Sequence, residues 1–196
     1  MKMLLKIVLG LVVIVAVVLV IALFIKKEYT IQREVTINKP AGAVFEYIRH
    51  LKNQDNFSKW VMTDPGMKRN FTGVDGTPGF VYAWDSQNKQ AGKGEQEIIS
   101  IKENKELDIE IRFEKPFKNV AHTPFTTDAL SANETKVTWS MVGRNPYPMN
   151  IMNLFLGGML GKDMETSLLT LKGILERSQA ETAQANETNN QLKQHN

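Results

Sequence analysis

The chain has 196 residues with 24 basic and 21 acidic side chains, a formal charge of +3 and no cysteine. That length fits one domain plus an appendage rather than two full domains. The missing cysteine excludes a disulfide framework, a thiolate metal site and a cysteine nucleophile, while the basic balance points to an anionic partner, either nucleic acid or a membrane surface.

The first element is a run from Ile7 to Ile25 that is aliphatic or aromatic except at Gly10. As a helix it is about 28 Å long, close to the ~30 Å hydrocarbon thickness of a bilayer. Lys2 and Lys6 flank one end, Lys26 and Lys27 the other. A helix apolar on every face is satisfied by a membrane span. The apolar core is longer than that of a cleaved signal peptide, and no small-x-small site precedes Lys26. The expectation is an uncleaved single-pass N-terminal anchor over residues 1–27. Lys2, Lys6 and the terminal amine on one side balance Lys26, Lys27, Arg33 and Lys39 on the other, so the side of the soluble domain is undetermined.

Glu28 to Ile37 alternates as a half-buried strand. Asn38-Lys39-Pro40 opens a helix carrying Val44, Tyr47, Ile48 and Leu51, and a second helical piece covers about Gln54 to Trp60. Met62 to Gly79 is loop, with one short strand near Lys68–Thr72. From Phe80 the period becomes two, through Phe80, Tyr82 and Trp84, then Glu95–Glu103, then Leu107, Ile109, Ile111 and Phe113 after a turn at Asn104-Lys105. Val120–Leu130 is a weaker strand and Lys136–Gly143 a clear one, so the sheet is an antiparallel meander. After Asn145-Pro146-Tyr147-Pro148 a long helix runs from about Ile151 to Arg177, with Gly157, Gly158 and Gly161 expected to kink or interrupt its start. The polar tail 178–196 reads as disordered or frayed helix, leaving 28–177 as the folded domain.

This order carries specific segments: Ile37-Asn38-Lys39-Pro40-Ala41-Gly42-Ala43-Val44-Phe45 after the first strand, Trp60, Gly76 to Gly79, Gly92-Lys93-Gly94-Glu95, Thr135-Lys136-Val137-Thr138-Trp139, and Gly161-Lys162-Asp163-Met164-Glu165 leading into Leu168-Leu169. Together they resemble the START-like (SRPBCC) superfamily in its polyketide cyclase/dehydrase and lipid-transport branch, and membrane-anchored bacterial members in particular. The resemblance covers about Tyr29 to Arg177. It implies an α+β helix-grip fold, in which a curved antiparallel sheet wraps the long C-terminal helix and leaves a deep cavity. Such concave apolar sites suit small lipophilic ligands.

The candidate cavity lining from the sheet is Tyr82, Trp84, Ile109, Ile111, Phe113, Val137, Trp139 and Met141; from the helix it is Met152, Phe155, Met159, Met164 and Leu168, with Trp60 and Phe57 at the mouth. His122, near Thr123 and Thr126, is a further candidate to face the cavity. Each of these apolar positions is equally a core position, and clustered methionines serve irregular cores as well as adaptable sites. His50, His122 and His195 lack metal-ligand spacing. No triad or phosphate loop is formed; Gly157 to Asp163 has the wrong spacing and Asp where Ser or Thr is required. Arg144 and Asp163 are a candidate contact near the cavity end.

The leading expectation is therefore a membrane-anchored binding module for a small hydrophobic ligand, with no cofactor, no metal and no nucleic acid. The alternatives are a cyclase, dehydratase or hydrolase acting on a hydrophobic substrate, which needs a polar residue such as His122, Glu95 or Asp163 buried in the cavity, or a co-chaperone-like interaction module. Lys2, Lys6, Lys26 and Lys27 flank the span while all 21 acids follow it. The folded part is close to neutral, and the basicity suits the interface of an anionic bilayer.

Overall fold

The structure, a computed structural model, describes residues 2–194, with side chains placed as far as Arg177. The expectation for residues 178–196 therefore lies outside the described side chains.

Helix α1 (Lys2–Phe24) carries the apolar run, and nearly all of it is exposed; Ala22 alone is buried. Its length and mean hydropathy of 3.6 suit a membrane anchor or a signal sequence alike. Strand β1 (Glu28–Ile37) follows after three residues. Helix α2 (Ala41–Arg49) begins on Pro40, whose fixed φ of −58° is already suited to a helix entry. The expected second helix is broken in two. A 3₁₀ turn (Leu51–Asn53) leads into α3 (Gln54–Phe57) and α4 (Lys59–Met62), separated by extended backbone at Ser58.

The remaining strands are β2 (Lys68–Thr72), β3 (Val81–Asp85), β4 (Lys93–Lys102), β5 (Glu106–Lys115), β6 (Asn119–His122), β7 (Phe125–Ser131) and β8 (Glu134–Arg144). All pair antiparallel in one sheet of order β1-β8-β6-β5-β4-β3-β2, with β7 also between β5 and β8. The single weak strand expected over Val120–Leu130 is thus two strands. Pro124, which has no N–H for the ladder, separates them. Asn104 takes φ 58° in the β4–β5 turn, a left-handed conformation that Asn tolerates better than most residues.

A 3₁₀ turn (Met149–Met152) leads into α5 (Asn153–Gln194), which lies on the concave face of the sheet. The expected break at the glycines does not occur, and the helix runs through them. Gly161 serves a close approach, whereas Gly157 and Gly158 face open space. The Arg33 guanidinium, on the inner face of β1, lies against Gly161 and donates to the Gly157 carbonyl at 3.0 Å. Farther along, the buried Ser167 hydroxyl accepts from the Lys59 amide at 2.9 Å, and Lys172 donates to the Thr36 carbonyl at 2.6 Å. These bonds fix α5 to α4 and β1.

The core is asymmetric. Ile37, Phe45, Ile48, Leu51, Phe57, Phe80, Ile98, Leu107, Ile109, Phe125, Val137, Met164, Leu168 and Leu171 form a closely packed cluster toward one end. Toward the other end the same inward faces of β5, β8 and α5 leave the cluster and border an open space.

Candidate functional site

That space is a cavity of about 810 Å³ between the sheet and α5. Its floor is a layer of rings. Trp139 stacks on Phe125 at 4.6 Å and meets Trp60 edge-on at 5.6 Å, and Phe57 meets Phe125 edge-on at 6.5 Å. Trp139 Nε1 donates to Thr123 Oγ1 at 2.7 Å, so its one polar atom is satisfied within the layer. One wall is Trp84, set edge-on to Phe113 at 6.2 Å and anchored by Nε1 donating to the Ala91 carbonyl at 2.9 Å. Gly94, paired with Trp84 in register, leaves the space that the indole occupies.

Of the candidates from sequence, Trp60, Tyr82, Trp84, Ile111, Phe113, Trp139, Met141, Met152 and Met159 border the cavity. Ile109, Val137, Met164, Leu168 and Phe57 do not; they lie in the packed end of the core. Phe155 is 63% exposed, whereas its neighbour Leu156, at 9%, is on the cavity wall, because the apolar surface at the start of α5 is wider than the stripe that faces the sheet. His122 lies on the opposite face of the sheet. Its cross-strand partner is Glu110, and Nδ1 lies 3.4 Å from Asp108. Alternation explains this, since Ala121 opposite Ile111 points inward and His122 must point out.

The other polar candidates also lie away from the cavity. Glu95, Glu97 and Glu110 surround Arg112 on the convex face, at 2.7, 2.7 and 2.5 Å, and their hydrogen bonds push the guanidinium pKa up. Asp163 does not border the cavity, and Arg144 pairs with Glu28 at 3.2 Å rather than with Asp163. Among the described residues, no group of three or more His, Asp or Glu side chains is placed to hold a metal ion.

Several lining residues were not among the cavity candidates: Tyr29, an alternating position of β1, Met149, one of the clustered methionines, and Gln54, Ser58, Met67, Gln96 and Phe117, which stood out in no pattern. Gln96 sits on the inner face of β4 between Tyr82 of β3 and Ile111 of β5. Its Nε2 donates to Gln54 Oε1 at 3.1 Å. The Tyr82 hydroxyl donates to Asp55 Oδ1 at 2.7 Å and accepts from Arg69 Nε at 3.1 Å, while Arg69 and Asp55 approach to 3.3 Å. Burial, reinforced by the Asp55 carboxylate, pushes the Tyr82 hydroxyl well above the ordinary 10.0; burial raises Tyr29 as well. The protonated phenols are therefore favoured in the folded state. Their stabilisation is complete below about pH 10 and is lost as pH rises beyond it. Urea unfolding between about pH 9 and 11 should show stability falling with pH, and Tyr82→Phe should flatten that fall. An unchanged slope would place the Tyr82 proton outside the folding equilibrium.

The mouth lies beside α1, and exposed apolar side chains share its rim with Gln90, Glu114 and Lys118. Phe117, Met149, Met152 and Met159 border the cavity and are exposed at its rim. Asn150, in the same 3₁₀ turn as Met149 and Met152, is 1% exposed; its Nδ2 donates to the carbonyls of Ala22 at 2.6 Å and Ile25 at 2.8 Å. Asn153 Nδ2 donates to the carbonyls of Lys26 and Lys27, and the Asn145 amide donates to Lys27 at 2.9 Å. The Ala22 carbonyl, left open in the last turn of α1, and the linker carbonyls of Ile25, Lys26 and Lys27 are thus held by two side-chain amides of the folded domain.

Solved structures share this architecture. The Zhui aromatase/cyclase from Streptomyces sp. R1128 aligns with TM-score 0.58 at 12% identity, over 76% of this chain and 94% of that one. Norcoclaurine synthase from Thalictrum flavum aligns with TM-score 0.59 at 8% identity, over 76% and 93%. Ara h 8.0201 aligns with TM-score 0.54 at 15% identity, over 76% and 99%. At such identities the likeness is one of fold, and the fold is START-like. A search of curated proteins gave no match. The sequence from 28 to 176, which is everything from β1 into α5, matches the family described as polyketide cyclase / dehydrase and lipid transport, and the chain belongs to that family.

Proposed function

We propose that this protein is a membrane-anchored binding module that holds a small lipophilic molecule between its sheet and α5. The observation that carries the reading is that one short turn serves both features. Met149 and Met152 border the cavity mouth, and Asn150 between them binds the end of α1. With α1 in a bilayer, the mouth opens at the membrane surface, where lipophilic molecules partition. Phe117 on the rim is flanked by Lys115 and Lys118, and Lys26 and Lys27 lie at the end of α1, an arrangement suited to anionic headgroups. A cavity of about 810 Å³ with a mostly apolar lining lies within the range of small-molecule sites.

Native mass spectrometry of the full chain released from detergent micelles tests this. The expected result is a copurified lipophilic species of a few hundred daltons that is lost when Met141→Trp fills the cavity. A bare protein mass from membranes, together with fractionation of the full chain away from membranes, would overturn the reading.

A further inference from the structure

We propose that the inner end of the cavity recognises a neutral head group of the amide class, one that donates and accepts hydrogen bonds together, on an otherwise apolar ligand. The proposal rests on the reading of the cavity as a ligand site and names the chemistry of what it takes.

Gln54 and Gln96 are each only 5% exposed, and both border the cavity. A glutamine amide carries two N–H donors and an oxygen with two lone pairs. The contact at 3.1 Å between Gln96 Nε2 and Gln54 Oε1 uses one donor and one lone pair. Gln54 Nε2 and Gln96 Oε1 make no hydrogen bond among the described residues, and neither is sealed from the cavity space. In either orientation of the two amides the pair leaves one NH₂ donor and one carbonyl acceptor side by side. Ser58, one turn along from Gln54, adds a buried hydroxyl on the same wall. Buried amides without partners are unfavourable, so this patch is stabilised by a ligand group that matches it.

The surroundings argue against an ionic head. The Tyr82 hydroxyl, beside Gln96, donates its hydrogen bond to Asp55, and Asp55 is paired with Arg69. Arg69 is further occupied by the carbonyls of Pro65 and Met67. Glu114, which also borders the cavity, is exposed and ion-paired with Lys93 at 2.7 Å, and Lys118 is on the exposed rim. A carboxylate or ammonium at the glutamine pair would be buried without a counterion. An amide matches it as donor to acceptor and acceptor to donor.

The chain supplies its own probe. Its three tryptophans, Trp60, Trp84 and Trp139, all border the cavity, and α1 has none. Quenching by a brominated ligand therefore reads cavity occupancy even with α1 in a detergent micelle. The full chain in dodecyl maltoside is titrated with ω-bromodecanamide, ω-bromodecanoate and bromodecane, and each is compared with the double variant Gln54→Met/Gln96→Met. Because a given ligand partitions into the micelle equally for both proteins, that comparison cancels partitioning. The expected result is half-quenching by the bromodecanamide at about tenfold higher concentration in the variant, with bromodecane changed by less than about twofold. Gln96→Met alone keeps chain length and one amide, and gives an intermediate loss; it carries the test if the double variant does not fold. Equal behaviour of amide and hydrocarbon across the variants overturns the proposal while the cavity remains a binding site. So does a loss for bromodecanoate as large as for the amide. Failure of bromodecane to quench the native chain at all removes the binding reading itself.

Discussion

Trp139→Ala is expected to destabilise the domain by about 3–5 kcal/mol, the range for emptying a large aromatic site in a packed interior. The ring is 3% exposed, stacks on Phe125 at 4.6 Å and supports Trp60 from the side. Removing it leaves Thr123 Oγ1 without its donor and joins the cavity to the packed end of the core. Urea unfolding of the full chain in detergent, followed by the fluorescence of the two remaining tryptophans, measures the effect. Trp84→Ala, at a half-buried wall position, should lose less. Losses of the same size, or below about 1 kcal/mol for Trp139, would mean that the rings do not form a closed floor.

Gly94→Val has the second large effect, and for the opposite reason. A Cβ at this position would sit 2.5 Å from the Arg112 carbonyl oxygen and 2.9 Å from the Trp84 ring. The carbonyl belongs to the neighbouring strand and cannot retreat without opening the β4–β5 ladder. Overfilling of this kind costs about 1–3 kcal/mol or more. The relief that is open is a swing of Trp84 away from its bond to Ala91, into the cavity. The variant should therefore lose stability and also lose quenching by bromodecane. Undiminished quenching would show that the indole does not move inward.

Much of the architecture was legible, because alternation and helical spacing report which face of an element is apolar. Most strands from Phe80 to Gly143 and the long last helix follow from that alone; the division of Val120–Leu130 into two strands at Pro124 does not. The same signal cannot say where along a face the packing ends. Leu107, Ile109, Ile111 and Phe113 are equivalent by alternation, yet the first two are core and the last two border the cavity. Val137 and Trp139 divide in the same way, as do Met164 and Met159. That boundary depends on how strongly the sheet curves and how far α5 stands from it, which are properties of the whole assembly. Gln54 and Gln96 were invisible for a different reason. Polar residues at inward positions read as interruptions of a pattern, and only their meeting across the fold turns two interruptions into one feature. His122 misled because a lone imidazole near hydroxyl residues attracts a functional reading, whereas its register opposite Glu110 turns it outward.

The three asparagines that bind the end of α1 and its linker bear on how a bound molecule could travel. Only three residues separate α1 from β1, and the joint is held by hydrogen bonds from Asn145, Asn150 and Asn153. A domain joined in this way has no slack. On the proposed anchoring it cannot swing out to deliver a molecule to a distant acceptor, as one on a long flexible tether would. Its search is confined to lateral diffusion in the plane of the membrane. An acceptor must meet it there, with an entrance at nearly the same height above the lipid.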